Sequence, residues 1–117
     1  MKKEWIIVGF VLIIVIFAGF YFFKNTNVVK ETPSGDYNIE INNFAFAPQE
    51  LIIKVGSTVV WNNKDSVKHT VTSDSGNELG SELLGNGESY SHIFNSVGTF
   101  EYHCTPHPSM TGKIIVE

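Results

Sequence analysis

The chain has 117 residues, 43% of them hydrophobic, and a formal net charge of −4 at pH 7. It contains no arginine, and from Asp36 onward four lysines stand against ten scattered acidic residues. The lack of a clustered basic face argues against nucleic-acid binding, and the length allows one domain with an appendage.

The N-terminal part of the chain is dominated by an uncharged run of nineteen residues, Trp5–Phe23. As a helix this run would rise about 28 Å, close to the roughly 30 Å hydrocarbon core of a bilayer. An aromatic residue lies near each end, where amphipathic rings favour the membrane interface. Lys2 and Lys3 favour a cytoplasmic N-terminus, although Lys24 weakens that bias. We therefore predict a single-pass membrane anchor over residues 1–23, with the rest of the chain on the extracytoplasmic side.

The competing interpretation of the same run is a signal peptide. Its apolar part is longer than a usual signal-peptide core, and no A-x-A-like cleavage site follows it, which favours an uncleaved anchor. Residues 24–35 are polar and end in Pro33-Ser34-Gly35. This composition predicts a short flexible linker.

After Gly35 the hydrophobic pattern changes to a period of two, which is typical of β-strands. Turn signals rich in glycine and asparagine separate the short runs. The predicted strands cover residues 36–42, 51–55, 58–62, 67–72, 88–94, 97–104 and 112–117. Within the intervening segment 73–84, residues 78–84 are predicted to form a single helical turn. Seven short strands in residues 36–117 predict an all-β Greek-key β-sandwich.

The loop before the last predicted strand contains the single cysteine, Cys104, followed by His107 and Met110 with two residues in each gap. Pro106 and Pro108 flank the histidine and stiffen the loop through their fixed φ. Such short gaps require the chain to fold back tightly. One thiolate, one imidazole and one thioether would thus lie close together.

Strand parity indicates which side chains face the core, because alternate residues share a face. Cys104 continues the row of Phe100 and Tyr102 and should point inward. His69 shares its row with Val67 and Val71 and should point inward as well. The same parity turns His103 away from Cys104, so His103 and the remaining histidine, His92, are predicted to be structural residues.

Each candidate ligand taken alone has a simpler interpretation. Cys104 could be a buried inert thiol, His69 a hydrogen-bonded core residue and Met110 a gap-filling apolar side chain. Together they make a soft, mixed nitrogen and sulfur set that suits copper. Structural zinc usually requires four strong ligands and more than one thiolate, which this loop lacks.

The segment Y-H-C-T-P-H-P-S-M-T-G-K-I-I-V-E resembles the copper-binding loop and last strand of the cupredoxins, the type 1 blue copper proteins. Upstream, F-A-F-x-P, G-S-T-V-V-W-x-N-x-D and H-T-V are also similar to that family, and the resemblance spans residues 37–117. The two-residue gaps are more similar to the loop of amicyanin than to the longer loops of plastocyanin and azurin.

The resemblance implies one type 1 copper per chain and an electron-transfer role. It also implies that the ligands are His69, Cys104, His107 and Met110. At the position after the first histidine ligand the family often has asparagine, whereas this chain has Thr70. Threonine can still supply the backbone N–H that contacts the cysteine sulfur, so the change affects the side-chain bonding between the two ligand loops.

His107 lies between two prolines, so its ring edge is expected at the surface, and the resemblance implies that it is the electron port. An apolar docking patch is predicted around it, composed of Pro106, Pro108, Phe46, Ala47 and Pro48.

The leading hypothesis is a monomeric, non-enzymatic, membrane-tethered carrier of single electrons between membrane-associated redox-partner proteins. The alternative is an extracytoplasmic copper-binding or delivery protein. Delivery sites tend to be open and rich in methionine, and this chain has two methionines, one of them Met1. A copper enzyme would need a second copper centre and further histidine pairs, which the sequence lacks.

Overall fold

The computed structural model describes residues 34–117. The predicted anchor (1–23) and nearly all of the predicted linker (24–35) lie outside the described residues. Within that described range, no helix is long and apolar enough to span a membrane.

Eight strands form two four-stranded sheets, which confirms the predicted all-β sandwich. The strands are β1 (Asp36–Asn42), β2 (Ala45–Ala47), β3 (Glu50–Ile53), β4 (Thr58–Asn63), β5 (Thr72–Ser73), β6 (Ser89–Ile93), β7 (Gly98–His103) and β8 (Thr111–Val116). The first sheet has the order β2-β1-β4-β6 and the second the order β3-β8-β7-β5. The pairs β1–β4 and β3–β8 are parallel, and the other neighbours are antiparallel.

Alternating side chains from both sheets fill the core, as the period of two requires. Ile39 and Ile41 of β1 and Val59 and Trp61 of β4 are fully buried, and their neighbours on the same strands face outward. From the second sheet, the Tyr102 ring meets the Trp61 ring edge to face, with 5.6 Å between centroids. These rings join the two layers.

The last two strands pack closely because of a glycine. Gly112 of β8 lies directly opposite Tyr102 of β7. A Cβ at position 112 would overlap the Tyr102 ring, so only glycine fits under this buried ring.

The prediction of a strand over residues 67–72 is wrong. Only Thr72–Ser73 forms a strand there, and Val67 is 39% exposed instead of facing inward with His69 and Val71. The backbone of residue 69 exchanges hydrogen bonds with Leu84 (3.1 and 2.8 Å) instead of joining a strand ladder. The polypeptide between β5 and β6 thus supplies the partners that a neighbouring strand would have supplied.

Three further local predictions differ from the structure. Residues 78–84 do not form a helical turn, because bridges pair Gly80 with Thr72 and Leu84 with His69. The short strand β2 was not predicted from the pattern. Val55 follows the end of β3 and is exposed, because the chain turns there towards β4.

The strand registers place two connections at one end of the sandwich. Thr72 at the start of β5 lies opposite His103 at the end of β7, and His103 lies opposite Thr111 at the start of β8. The β4–β5 connection, which contains His69, therefore meets the β7–β8 loop, which contains Cys104, His107 and Met110.

Candidate metal centre

The β7–β8 loop consists of two successive turns, each closed by a backbone hydrogen bond, and a third backbone hydrogen bond joins the two ends of the loop. The His107 N–H donates to the Cys104 carbonyl (3.2 Å), and the Met110 N–H donates to the His107 carbonyl (2.9 Å). Pro108 occupies the second position of the second turn, where its fixed φ is favourable. The Cys104 N–H then donates to the Met110 carbonyl at 3.0 Å. The prediction that the chain folds back tightly is thus correct.

Three of the four predicted ligands converge on one point. Candidate donor atoms of His69, Cys104 and His107 all lie within 4.8 Å of one another. The Cys104 Sγ is 3.5 Å from His69 Nδ1 and 3.6 Å from His107 Nδ1. A metal bound about 2.0 Å from nitrogen and 2.3 Å from sulfur, at tetrahedral to trigonal angles, would separate these atoms by about 3.5–3.7 Å. Both sulfur–nitrogen distances therefore match those around a bound metal ion.

The fourth predicted ligand, Met110, lies at the end of the same loop with its side chain buried. A thioether is a weak ligand for zinc and a common one for copper, where it serves as a long axial ligand beside two imidazoles and a thiolate. The chemistry of this donor set thus fits copper.

His69 is fully buried, and its second ring nitrogen has a partner. Nε2 lies 2.8 Å from Asp65 Oδ2. A carboxylate can only accept, so the ring proton is on Nε2 and the lone pair on Nδ1 points towards Cys104. Burial opposes ionisation of Asp65, but hydrogen bonds from the Phe44 N–H, the His69 ring and the Asn43 N–H outweigh it and lower the pKa of Asp65.

The two ligand-bearing connections are joined at Thr70. Its backbone N–H points at the Cys104 sulfur (3.4 Å), as the resemblance implied. Its hydroxyl oxygen accepts the Thr105 N–H at 2.8 Å, and the Thr72 hydroxyl lies within hydrogen-bond distance of the Thr70 and Thr105 hydroxyls, at 2.9 and 3.0 Å. Threonine thus provides the side-chain link between the loops that asparagine often provides in the family.

The surface around His107 differs from the predicted patch. His107 is partly exposed between the exposed Pro106 and Pro108, as expected. Phe46, however, is only 4% exposed, because it faces the core and packs on Tyr102. Phe44, two residues earlier and 50% exposed, lies beside the site instead.

The two remaining histidines lie elsewhere and pair with acids. His92 Nε2 is 2.8 Å from Glu78 Oε1, and His103 Nδ1 is 2.6 Å from Asp74 Oδ1. Neither belongs to the group of three close ligand residues found in the described part of the chain.

Sequence reasoning missed three residues that support the site, namely Phe44, Asp65 and Thr105. Phe44 and Asp65 both lie within motifs similar to the cupredoxins, F-A-F-x-P and G-S-T-V-V-W-x-N-x-D, and that was the available signal. Thr105 also lies within a similar segment, Y-H-C-T-P-H-P-S-M-T-G-K-I-I-V-E, but its role depends on a contact across the two connections, which no local motif indicates.

Comparison with known proteins agrees with this geometry. Residues 33–117 match the model of copper-binding proteins of the plastocyanin/azurin family. The chain is 39% identical over 93 residues to amicyanin-alpha of Methylorubrum extorquens, covering 76% of this chain and 78% of that protein.

Solved structures give the same result. A reduced amicyanin variant superposes with a TM-score of 0.67 at 36% identity, covering 75% of this chain and 88% of the other. A purple cupredoxin from Nitrosopumilus maritimus superposes with a TM-score of 0.65 at 33% identity, covering 70% of this chain and all of the other.

Proposed function

Because this chain belongs to the plastocyanin/azurin family of copper-binding proteins, we propose that it is a membrane-tethered carrier of single electrons. Its copper ligands are His69, Cys104, His107 and Met110. It exchanges electrons with redox-partner proteins on the outer face of a membrane, acts as a monomer and has no catalytic activity of its own.

One observation carries the electron-transfer assignment. The buried Cys104 sulfur lies at distances from two imidazole nitrogens that already suit a metal, and only one of the two rings reaches the surface. Bound copper supplies a one-electron couple between Cu(I) and Cu(II). The protein's contribution is to keep its donor atoms nearly still, so that little reorganisation accompanies electron transfer.

Each part of the surrounding structure restricts one donor. The double turn fixes Cys104 and His107 relative to each other, and the Thr70–Thr105 hydrogen bond fixes the β4–β5 connection against the β7–β8 loop. The Thr70 N–H stabilises negative charge on the sulfur. These contacts exist in the protein itself, so the site is preorganised.

Partners would approach at His107, the partly exposed ligand. The half-exposed Phe44 ring lies 5.0 Å from it, and the exposed Pro106 and Pro108 flank it, so the surface around it is apolar. Such a patch suits short-lived docking by another protein, and a partly exposed imidazole gives a direct route to the ligand set. A His107 variant with unchanged electron-transfer rates to its partner would contradict this assignment.

The membrane location rests on the sequence of residues 5–23, nineteen residues without a charge. The test is extraction of the full-length chain from cell membranes. A membrane-spanning anchor resists alkaline washing and needs detergent, and the copper domain of intact cells should be open to an added protease. Release by alkaline washing alone would contradict an anchor.

A copper-delivery protein is the competing function, and retention of the metal separates the two. A carrier should pass through repeated reduction and oxidation cycles in the presence of a Cu(I) chelator with its visible absorption band returning each time. A delivery protein would lose its copper to the chelator in the first reduced phase. The burial of His69, Cys104 and Met110 favours the carrier.

A further inference from the structure

Asp65 lies at the centre of a hydrogen-bond network beside the metal centre. Oδ1 accepts the Asn43 N–H at 2.8 Å, and Oδ2 accepts the Phe44 N–H at 3.0 Å and lies 2.8 Å from His69 Nε2. The Asp65 side chain is only 12% exposed. The backbone of Asp65 is held as well, because its N–H donates to Asn63 Oδ1 at 2.9 Å. One carboxylate thus serves both a buried ligand and the β1–β2 turn.

The turn that Asp65 holds has an unusual backbone. Asn43 and Phe44 have φ values of 52° and 57°, in the left-handed region. Asparagine enters this region fairly often, but a bulky residue such as phenylalanine does so rarely. Both N–H groups of this pair donate to the Asp65 carboxylate, which gives the turn a stabilising partner outside itself.

The consequence of this backbone is the position of one aromatic ring. The Phe44 ring meets the His69 ring edge to face, with 5.3 Å between centroids and 89° between planes. It meets the His107 ring in the same way, at 5.0 Å and 85°. A half-exposed phenylalanine therefore covers the edges of both imidazoles, and we call it the Phe44 cover.

We propose that Asp65 is a positioning residue that couples the His69 ligand to the Phe44 cover. It holds the ring proton of His69 on Nε2, so that Nδ1 is free towards the metal. Through the backbone of residues 43 and 44 it also keeps the Phe44 ring over both histidines. Both effects are properties of the metal-free chain, and together they restrict access to the bound metal. That the metal is copper rests on the proposed function.

The first test uses the metal-free, full-length protein in detergent and compares wild type with Asp65→Asn. Oδ2 alone accepts from both His69 and Phe44 in wild type, and the single amide oxygen of asparagine can satisfy at most two of the three donors, so at least one donor must face its NH2 group. Imidazole ¹⁵N shifts report the His69 tautomer, and nuclear Overhauser contacts report the Phe44 ring against the two histidines. We expect wild type to show the Nε2–H tautomer and these contacts, and the variant to lose at least one of them.

The second test measures the rate at which a Cu(I) chelator removes copper. Loss of an outer partner of a histidine ligand typically costs about 10- to 100-fold in metal affinity, and we expect Asp65→Asn to accelerate removal at the low end of that range. Phe44→Ala should also accelerate removal. Relative to wild type, the double variant should accelerate removal by less than the product of the two single effects, because Asp65 acts partly through Phe44.

A matched control removes the same charge from another histidine–carboxylate pair. Glu78→Gln removes the carboxylate charge beside His92, outside the metal centre, and should leave both the His69 tautomer and the chelator rate unchanged. Asp65→Ala serves as a second variant if asparagine perturbs folding.

Three results would overturn the inference: an Nδ1–H tautomer in wild type, full retention of both signatures in Asp65→Asn, or Phe44→Ala with an unchanged chelator rate. If the chain binds no copper at all, the proposed function fails, and the tautomer and ring contacts of the metal-free protein still decide the role of Asp65.

Discussion

Replacing Thr70 by valine should loosen the contact between the two ligand-bearing connections. Valine keeps the shape of threonine but removes the oxygen that accepts the Thr105 N–H at 2.8 Å and contacts the Thr72 hydroxyl at 2.9 Å. At about 0.5–1.5 kcal/mol for each hydrogen bond, the loss is about 2 kcal/mol. For a domain of this size, that corresponds to a fall in Tm of roughly 10 °C.

Equilibrium urea unfolding of the metal-free protein, followed by near-ultraviolet circular dichroism, would measure this change. Thr70→Ser keeps the hydroxyl and should stay close to wild type. Thr72→Val removes two contacts between hydroxyls but leaves every backbone N–H with its acceptor, so its loss should be smaller. A Thr70→Val loss no larger than that of Thr72→Val would refute the reasoning, because the Thr105 N–H would then have another acceptor.

Three other perturbations test separate features of the fold and the site. Gly112→Ala should destabilise the domain by at least about 2 kcal/mol in the same unfolding assay, because the new methyl group overlaps the buried Tyr102 ring; a neutral result would contradict that packing. Burial, opposed by the neighbouring Trp61 indole, raises the pKa of Tyr102 to about 12. Since the unfolded value is about 10, the free energy of unfolding should fall by about 2 kcal/mol from pH 10 to pH 12, and Tyr102→Phe should lack that part of the decrease. Pro106→Ala should raise the reduction potential in voltammetry, because alanine supplies an N–H that can donate to the Cys104 sulfur; no change or a fall would contradict it.

Sequence reasoning succeeded where regular strands carry the site. β7 alternates without interruption from Gly98 to His103, so parity correctly placed Tyr102 and Cys104 inside and turned His103 outward. The two-residue gaps of the loop correctly predicted a tight return, because so few residues between Cys104, His107 and Met110 leave little conformational choice.

Sequence reasoning failed where hydrogen bonds to residues distant in sequence replace the regular pairing between strands. The burial of Thr70 and the exposure of Val67 depend on hydrogen bonds from residues 69–71 to the segment that ends at Leu84. The hydrophobic periodicity of a short segment does not indicate such pairing. The left-handed turn at Phe44 was equally hidden, because the usual signal for that backbone is glycine, and here the Asp65 carboxylate stabilises it from 21 positions away.

The most direct test of the central claim is the absorption spectrum of the protein on titration with Cu(II). A type 1 site predicts an intense blue thiolate-to-copper charge-transfer band that saturates at one copper per chain and is absent from Cys104→Ser. A colourless complex in wild type, or a band that persists in Cys104→Ser, would contradict the assignment of Cys104 and with it the proposed electron-transfer function.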